Sequence, residues 1–304
     1  MKWSEYNESL VRRGEILLGF DVIDNWDKEL ADMNRGKLGG PFHYPDTFVL
    51  MLGYAKAYFH LPYRQTEGVV KGHAANKIPS IPDFSTISRR MNRLDVKIKN
   101  DGGKNPNPSE EENGYIIITI DSSGIKKTNR GQWINKKWNM QNRKGYLKIH
   151  IAVDIKSKKI LSMEVTDEHV HDNKMLPMLV DNVLKSNNDG FAVIVDRVLG
   201  DGAYDSNDTF RFLSENGIIP CIKVRKNSRV RNTAHIFRNL SVIAQRNDFE
   251  QWKDSVSYGQ RWIVETVFSS LKRMFGEYVY SIKMENMKQE LMLKASLYNK
   301  FMSI

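Results

Sequence analysis

The chain has 304 residues, with 46 Lys and Arg against 36 Asp and Glu, and so a formal net charge of +10. With 40% hydrophobic and 10% aromatic residues it can bury a sizeable core, which excludes a disordered chain of this charge. One cysteine, Cys221, excludes an internal disulfide, and the longest apolar runs, at 115–120 and 191–195, fall far short of the roughly 20 residues that cross a bilayer. The start MKWSEYNESLVRRGE has no apolar h-region, so a cytoplasmic, nucleoid-associated protein is expected. Length predicts about two domains at roughly 150 residues each, and the basic surplus suits an anionic partner.

Residues 1–99 are expected to form an all-α domain. Phe48, Leu50, Met51, Leu52, Tyr54, Ala55, Tyr58 and Phe59 follow Pro45 and Asp46 at helical spacing, and Pro62 ends that helix. A second short helix is predicted over 64–71 and a third over 85–94, with Asp83 or Ser85 as its N-cap. Three short helices in this span fit a helix-turn-helix unit. The third carries Ser85, Thr86, Ser88, Arg89, Arg90 and Arg93, short donors and arginines suited to phosphates and base edges in a major groove. A solvated basic face on a small bundle is the competing reading. Residues 100–114, DGGKNPNPSEEENG with Asn100 ahead of them, are rich in turn formers and lack apolar periodicity, which predicts a linker.

After the linker the pattern turns to β, and residues 115–304 are expected to form the second domain. The run YIIIT through Ile120 is continuous and β-branched, as in a strand covered on both faces, and it ends at Asp121. Residues 146–154 alternate, 156–159 turn, and 160–165 return as a hairpin partner. A helix over 172–184, a strand over 191–199, a helix over 206–216 and a strand over 218–224 complete the order βββαβαβ. That order predicts a ribonuclease H-like mixed α/β sheet flanked by helices.

Ligand sites in open α/β sheets lie at the carboxyl ends of strands, where Asp121 and Asp201 fall. Each alone reads more readily as a turn or cap residue. Asp205 reads as the N-cap of the next helix, and Asp196 lies inside a strand, so Asp201 is the better candidate. Farther on, a helix beginning near Tyr258 places Tyr258, Arg261, Glu265 and Lys272 within an arc of roughly 60° at about 100° per residue. The arc borders an apolar stripe of Val264, Val267, Phe268, Leu271 and Phe275. Such a row fits either a site or an i,i+4 ion pair between Arg261 and Glu265. Gathered together, Asp121, Asp201 and Glu265 would form an all-oxygen set suited to Mg²⁺ or Mn²⁺ rather than zinc. Two such ions can activate a nucleophile and stabilise a leaving oxygen in attack on phosphorus.

These residues resemble the DDE transposases of prokaryotic insertion sequences, in the group marked by Tyr-x2-Arg-x3-Glu-x6-Lys. The motif is complete as Tyr258, Arg261, Glu265 and Lys272 within GQRWIVETVFSSLKRMFGE. The blocks TIDSSGIK and LGDGAYDS are similar to the family's two aspartate blocks. LPYRQTEGVV and IPDFSTISRRMNRL are similar to its helical end-binding region. The resemblance implies a catalytic triad of Asp121, Asp201 and Glu265 holding two divalent ions, with Tyr258, Arg261 and Lys272 on phosphates near the cleaved end. It implies that the protein binds terminal inverted repeats, hydrolyses each end to free a 3′-OH and joins it to target DNA. It also implies a small insertion at about 225–256, whose fold the sequence leaves open.

The rest of the basic charge falls in two runs. Lys126, Lys127, Arg130, Lys136, Lys137, Arg143, Lys144 and Lys148 are interleaved with Trp133 and Trp138, and the tryptophans fit either base stacking or hairpin packing. Lys223, Arg225, Lys226, Arg229 and Arg231 follow the last strand and are a further DNA candidate. His169 and His171 sit in a loop and read as bland, Ser122 and Ser123 lack a histidine to activate them, and Cys221 reads as a buried strand residue. Two alternatives keep parts of this picture: a structure-selective nuclease that cuts without joining, and a non-catalytic DNA-binding regulator. Joining two ends to one target requires a homodimer or higher oligomer on double-stranded DNA.

Overall fold

The computed structural model describes residues 3–74, 76–96, 98, 115–127, 145–185 and 194–304. The expected linker at 100–114, the basic stretch 128–144 with Arg130 and Trp133, and the first three residues of the strand expected at 191–199 lie outside these. The chain divides into two compact units, Met1–Lys97 with Ser281–Ile304, and Ile98–Tyr280. Among the described residues no helix is long and apolar enough to cross a membrane.

The first unit is all helical: α1 (Trp3–Leu18), α2 (Trp26–Asn34), α3 (Asp46–Tyr58), α4 (Tyr63–Ala74), α5 (Phe84–Met91) and α11 (Met284–Met302). Its core forms around α3, which is apolar on nearly every side. Phe48 is fully buried and packs on Trp26 at 4.9 Å between ring centroids, and the Tyr54 hydroxyl meets Ser296 Oγ at 2.8 Å. A Cβ on Gly53 would stand 3.0 Å from Leu293 Cδ2, so the glycine lets α3 and α11 approach closely. Gln289 of α11 donates to the carbonyls of Met91 and Leu94, closing the open end of α5. This corrects the expected division: residues 281–304 belong with the N-terminal helices rather than with the sheet.

Helix α5 starts as expected, with Asp83 accepting from the Thr86 N–H at 2.7 Å, but ends at Met91 rather than near 94. Its apolar side, Ile87 and Met91, is buried, and Ser85, Arg89 and Arg93 are exposed.

The second unit is built on a five-stranded sheet in the order β3-β2-β1-β4-β5. The strands are β1 (Tyr115–Lys126), β2 (Tyr146–Asp154), β3 (Ile160–Asp167), β4 (Ile194–Gly200) and β5 (Ile219–Ile222). β1 pairs antiparallel with β2 and β2 with β3, while β4 and β5 run parallel to β1. With helices on both faces, this is the ribonuclease H-like α/β arrangement that the element order predicts. α6 (Asp172–Lys185) and α7 (Asn207–Glu215) cover one face over Ile118, Ile120, Ala152, Leu176, Leu179, Val198 and Phe210. α10 (Trp262–Phe275) covers the other across β1 and β2, burying Val264, Val267, Phe268, Leu271 and Phe275.

Residues 225–256, whose fold the sequence leaves open, contain α8 (Ile236–Asn247) and α9 (Phe249–Ser255). Gln245 on α8 accepts from the Val224 N–H and donates to the Ile222 carbonyl, so a side chain satisfies the backbone at the end of β5. Trp252 on α9 packs on Tyr258 at 5.1 Å between centroids.

Candidate active site

Strand register brings the two aspartates together. Thr119 of β1 stands opposite Leu199 of β4, and each aspartate lies two residues beyond that pair. Neighbouring strands run about 4.8 Å apart, so Asp121 and Asp201 sit side by side where the parallel pairing stops. β1 does not end at Asp121, as expected from the sequence. It continues to Lys126 because residues 122–126 still pair with β2, Ser122 opposite His150 and Ile125 opposite Leu147. Asp121 is therefore a strand end toward β4 only.

The pleat then decides which face the carboxylates serve. Ile118, Ile120 and Val198 point into the core under α6 and α7, so Asp121 points to the opposite face, under α10. Leu199 alternates with Val198, and Asp201 keeps an extended backbone at φ −82° and ψ −174°. Both aspartates consequently face the helix that carries Glu265. Gly200, just before Asp201, leaves room on the opposite face, where a Cβ would stand 2.9 Å from Ile222 Cδ1 and 3.1 Å from Tyr204 Cδ2.

The motif helix does not begin at Tyr258 as a regular α-helix. Ser257 adopts a left-handed conformation at φ 56°, Tyr258–Arg261 form a 3-10 turn, and α10 starts at Trp262. Tyr258 is buried against Trp252, whereas Arg261, Glu265 and Lys272 keep the expected helical row. Arg261 is the link across the site. Its Nη1 donates to Asp121 Oδ2 at 3.1 Å and its Nη2 to Glu265 Oε1 at 2.5 Å. The i,i+4 ion pair and the site are thus one arrangement, since the same guanidinium also holds a strand aspartate. Asp121 Oδ1 accepts from the Ser122 N–H and Asp201 Oδ1 from the Ala203 N–H, both at 2.8 Å, which orients the two carboxylates. Lys272 lies two turns beyond Glu265 and is half-buried.

Electrostatics mark the pocket as short of positive charge. Burial raises the Asp121 carboxyl above its usual range and the Asp201 charge adds to this, although the Ser122 N–H and Arg261 oppose it. Burial pushes the Tyr258 hydroxyl up to about 12, with Arg261 opposing and Asp201, Asp121 and Glu265 all reinforcing the shift. One phenol therefore senses all three carboxylates. Two of the three carboxylates, Asp121 and Glu265, share one guanidinium, in an oxygen-only donor set that suits a hard divalent cation. Among the described residues no three acidic, histidine or cysteine side chains converge as a ready-made metal cluster. Asp121 and Asp201 are neighbours, and Glu265 joins them through Arg261 instead of directly. The donor chemistry and the charge deficit fit Mg²⁺ or Mn²⁺ at these residues.

Several other expectations are relocated. Asp205 is not the N-cap of the next helix: Ser206 caps α7 by accepting from the Thr209 N–H. Asp205 is instead a buried anchor, bound by Arg238 Nε at 2.7 Å, Ser228 Oγ at 2.5 Å and the Arg225 N–H at 3.0 Å. Arg238 is the residue the sequence reading missed, and its charge amid the exposed apolar residues of α8 was the available signal. Arg225 donates from Nε to the Gly202 carbonyl at 2.8 Å, directly behind Asp201, and Lys226 beside it is exposed. Asp196 is paired with its neighbour Arg197. Lys126 pairs with Glu277 at 3.2 Å, and Lys127 is half-buried beside Gly145. In the helical unit, Thr86 is half-buried against the cap, whereas Arg90 binds Asp46 at 2.6 Å and lies over the Phe42 ring.

A family profile described as "Transposase DDE domain" matches residues 112–300, and a second with the same description matches residues 11–130. Among solved structures, the chain is similar to one described as "Drosophila P element transposase strand transfer complex", at 11% identity and a TM-score of 0.32. That match covers 66% of this chain and 42% of the other. With the larger match spanning more than half its length, and with Asp121, Asp201 and the Arg261–Glu265 helix assembled on the sheet, the chain belongs to the transposase DDE domain family.

Proposed function

We propose that the protein is an insertion-sequence transposase that binds the terminal inverted repeats of its element, hydrolyses the phosphodiester at each end and joins the freed 3′-OH to target DNA. The observation that carries this reading is the convergence of Asp121 and Asp201 on the face under α10, with Arg261 tying Asp121 to Glu265. Asp121, Asp201 and Glu265 would hold two Mg²⁺ or Mn²⁺ ions, which supply activation of the nucleophile and stabilisation of the leaving oxygen. The protein's own residues fix where the chemistry occurs. The Ser122 and Ala203 N–H groups orient the two aspartates, both of which are half-buried. Arg261 and Lys272 are placed to meet phosphate oxygens, and the Arg261 fork suits a bidentate contact.

In the first step a water oxygen attacks the phosphorus at the element's end and the bond to the 3′-oxygen breaks. The proton lost by the water balances the one that the 3′-oxygen takes up. In the second, that 3′-hydroxyl oxygen attacks a target phosphorus and displaces a target 3′-oxygen, again with one proton lost and one gained. Phosphodiester number is conserved in the joining step, and the protein forms no covalent bond to DNA. Two ends require two such sites, so the working form is a homodimer or larger assembly on DNA.

The test combines Mg²⁺, a labelled element end and a supercoiled target. Joined products support a transposase, nicks without joining a nuclease, and binding alone a regulator. Asp121→Asn, Asp201→Asn and Glu265→Gln are each expected to lower cleavage by more than about 10²-fold, as loss of a charge-stabilising group does, with end binding retained. Normal cleavage by one of them removes that residue from the triad.

A further inference from the structure

Arg261 occupies the oxygens that a divalent ion would need. Both oxygens of Asp121 are engaged, Oδ1 by the Ser122 N–H and Oδ2 by Arg261 Nη1, and Glu265 Oε1 is engaged by Arg261 Nη2. A small divalent ion binds carboxylate oxygen at about 2.0–2.1 Å, which would put it within a few Å of a guanidinium 2.5 and 3.1 Å from the same two carboxylates. Like charges that close in a partly buried site repel strongly. Asp201 differs, because among the described residues its Oδ1 takes only the Ala203 N–H and no guanidinium reaches it.

We propose that Arg261 is a built-in competitor of the divalent ion: loading the site requires the guanidinium to leave Asp121 and Glu265, and the freed fork is then available to a phosphate. The inference rests on the proposed reading of the triad. The side chain is built for such an exchange. It is one-fifth exposed, it stands at the junction of the 3-10 turn with α10, and its partner Glu265 is 58% exposed. The planar fork that matches a carboxylate also matches a phosphate. The two events then reinforce one another, because a phosphate that draws Arg261 away strengthens ion binding by the factor by which the ion strengthens phosphate binding.

The experiment is a calorimetric Mn²⁺ titration of the full chain without DNA, comparing the unaltered protein with Arg261→Gln, Arg261→Lys and Asp121→Asn. Competition predicts that Arg261→Gln binds Mn²⁺ about tenfold more tightly. Arg261→Lys, which keeps one charge but cannot fork across both carboxylates, falls between the two and decides the question if the glutamine variant fails to fold. Unchanged or weaker Mn²⁺ binding in the folded Arg261 variants overturns the competition. If Asp121→Asn binds Mn²⁺ as tightly as the unaltered protein, the triad reading fails instead, so the two failures are distinguishable.

Discussion

Asp205 is a carboxylate buried to the point that its side chain has no exposed surface, and it survives there because every donor around it is aimed inward. Burial alone would raise its pKa, but the Arg238 fork, the Arg225 N–H and the Ser228 hydroxyl overcome that and hold it below the usual range. The anchor ties the turn after Asp201 to the segment that holds α8 and α9, because Arg225, fixed through its own N–H, closes back on the Gly202 carbonyl. Asp205→Asn keeps the shape but leaves the Arg238 charge without its counter-ion, so a loss of about 3–5 kcal/mol is expected in denaturant unfolding. The sign of the pH effect follows. A depressed folded pKa gives stability that is present above the unfolded carboxylate value near 4 and is lost as pH falls through the lower folded value. The unaltered protein should therefore lose stability in that acid range, and the variant should lose the part of the slope that Asp205 contributes.

At the scale of elements, what was legible in the sequence depended on range. Glu265, Lys272 and the apolar stripe beside them are set by local helical spacing and appear on α10 as read, with Arg261 at its N-cap. The two aspartates were picked out because each falls at the end of a predicted strand. The continuation of β1 through Ser122, Ser123 and Gly124 was not, since those residues favour turns and only the partner strand β2 keeps them extended. Asp205 was misread for the same reason: the choice between a cap and an anchor is made by Arg238, 33 residues away. Helix α11 is the largest such case. No element was read in that stretch of the sequence, and only packing assigns it to the N-terminal unit, where Leu291, Leu293, Ala295, Leu297, Tyr298 and Phe301 are buried. Truncation after Tyr280 should accordingly unfold the residues before 98, seen as lost helical ellipticity and rapid proteolysis there. Intact protection of α3 in the truncated chain would contradict this, because α3 would then lack the cover for Gly53 and Tyr54.

For the whole molecule, a net charge of +10 has meaning only through the cations that remain free for phosphate. Charge count in the helical unit overstates that number. Arg90, grouped by sequence with Arg89 and Arg93, is committed to Asp46 and Phe42 with its side chain only 15% exposed. Arg89 and Arg93 are exposed, with Arg89 held loosely along its own helix by Ser85 and Thr86. A phosphate contact releases counterions, so losing one should reduce the slope of log affinity against log salt by about 1. Arg89→Ala and Arg93→Ala are expected to weaken end binding and flatten that slope without lowering the melting temperature. Arg90→Ala should do the reverse, leaving the salt slope in place while destabilising the unit, because it removes a cation that the fold itself uses. Salt titrations of end binding by fluorescence anisotropy, paired with thermal melts of the same three variants, separate the two roles. If Arg90→Ala alone flattens the slope, the reader of the ends includes the inward edge of α5, and the exposed arginines are a solvated face.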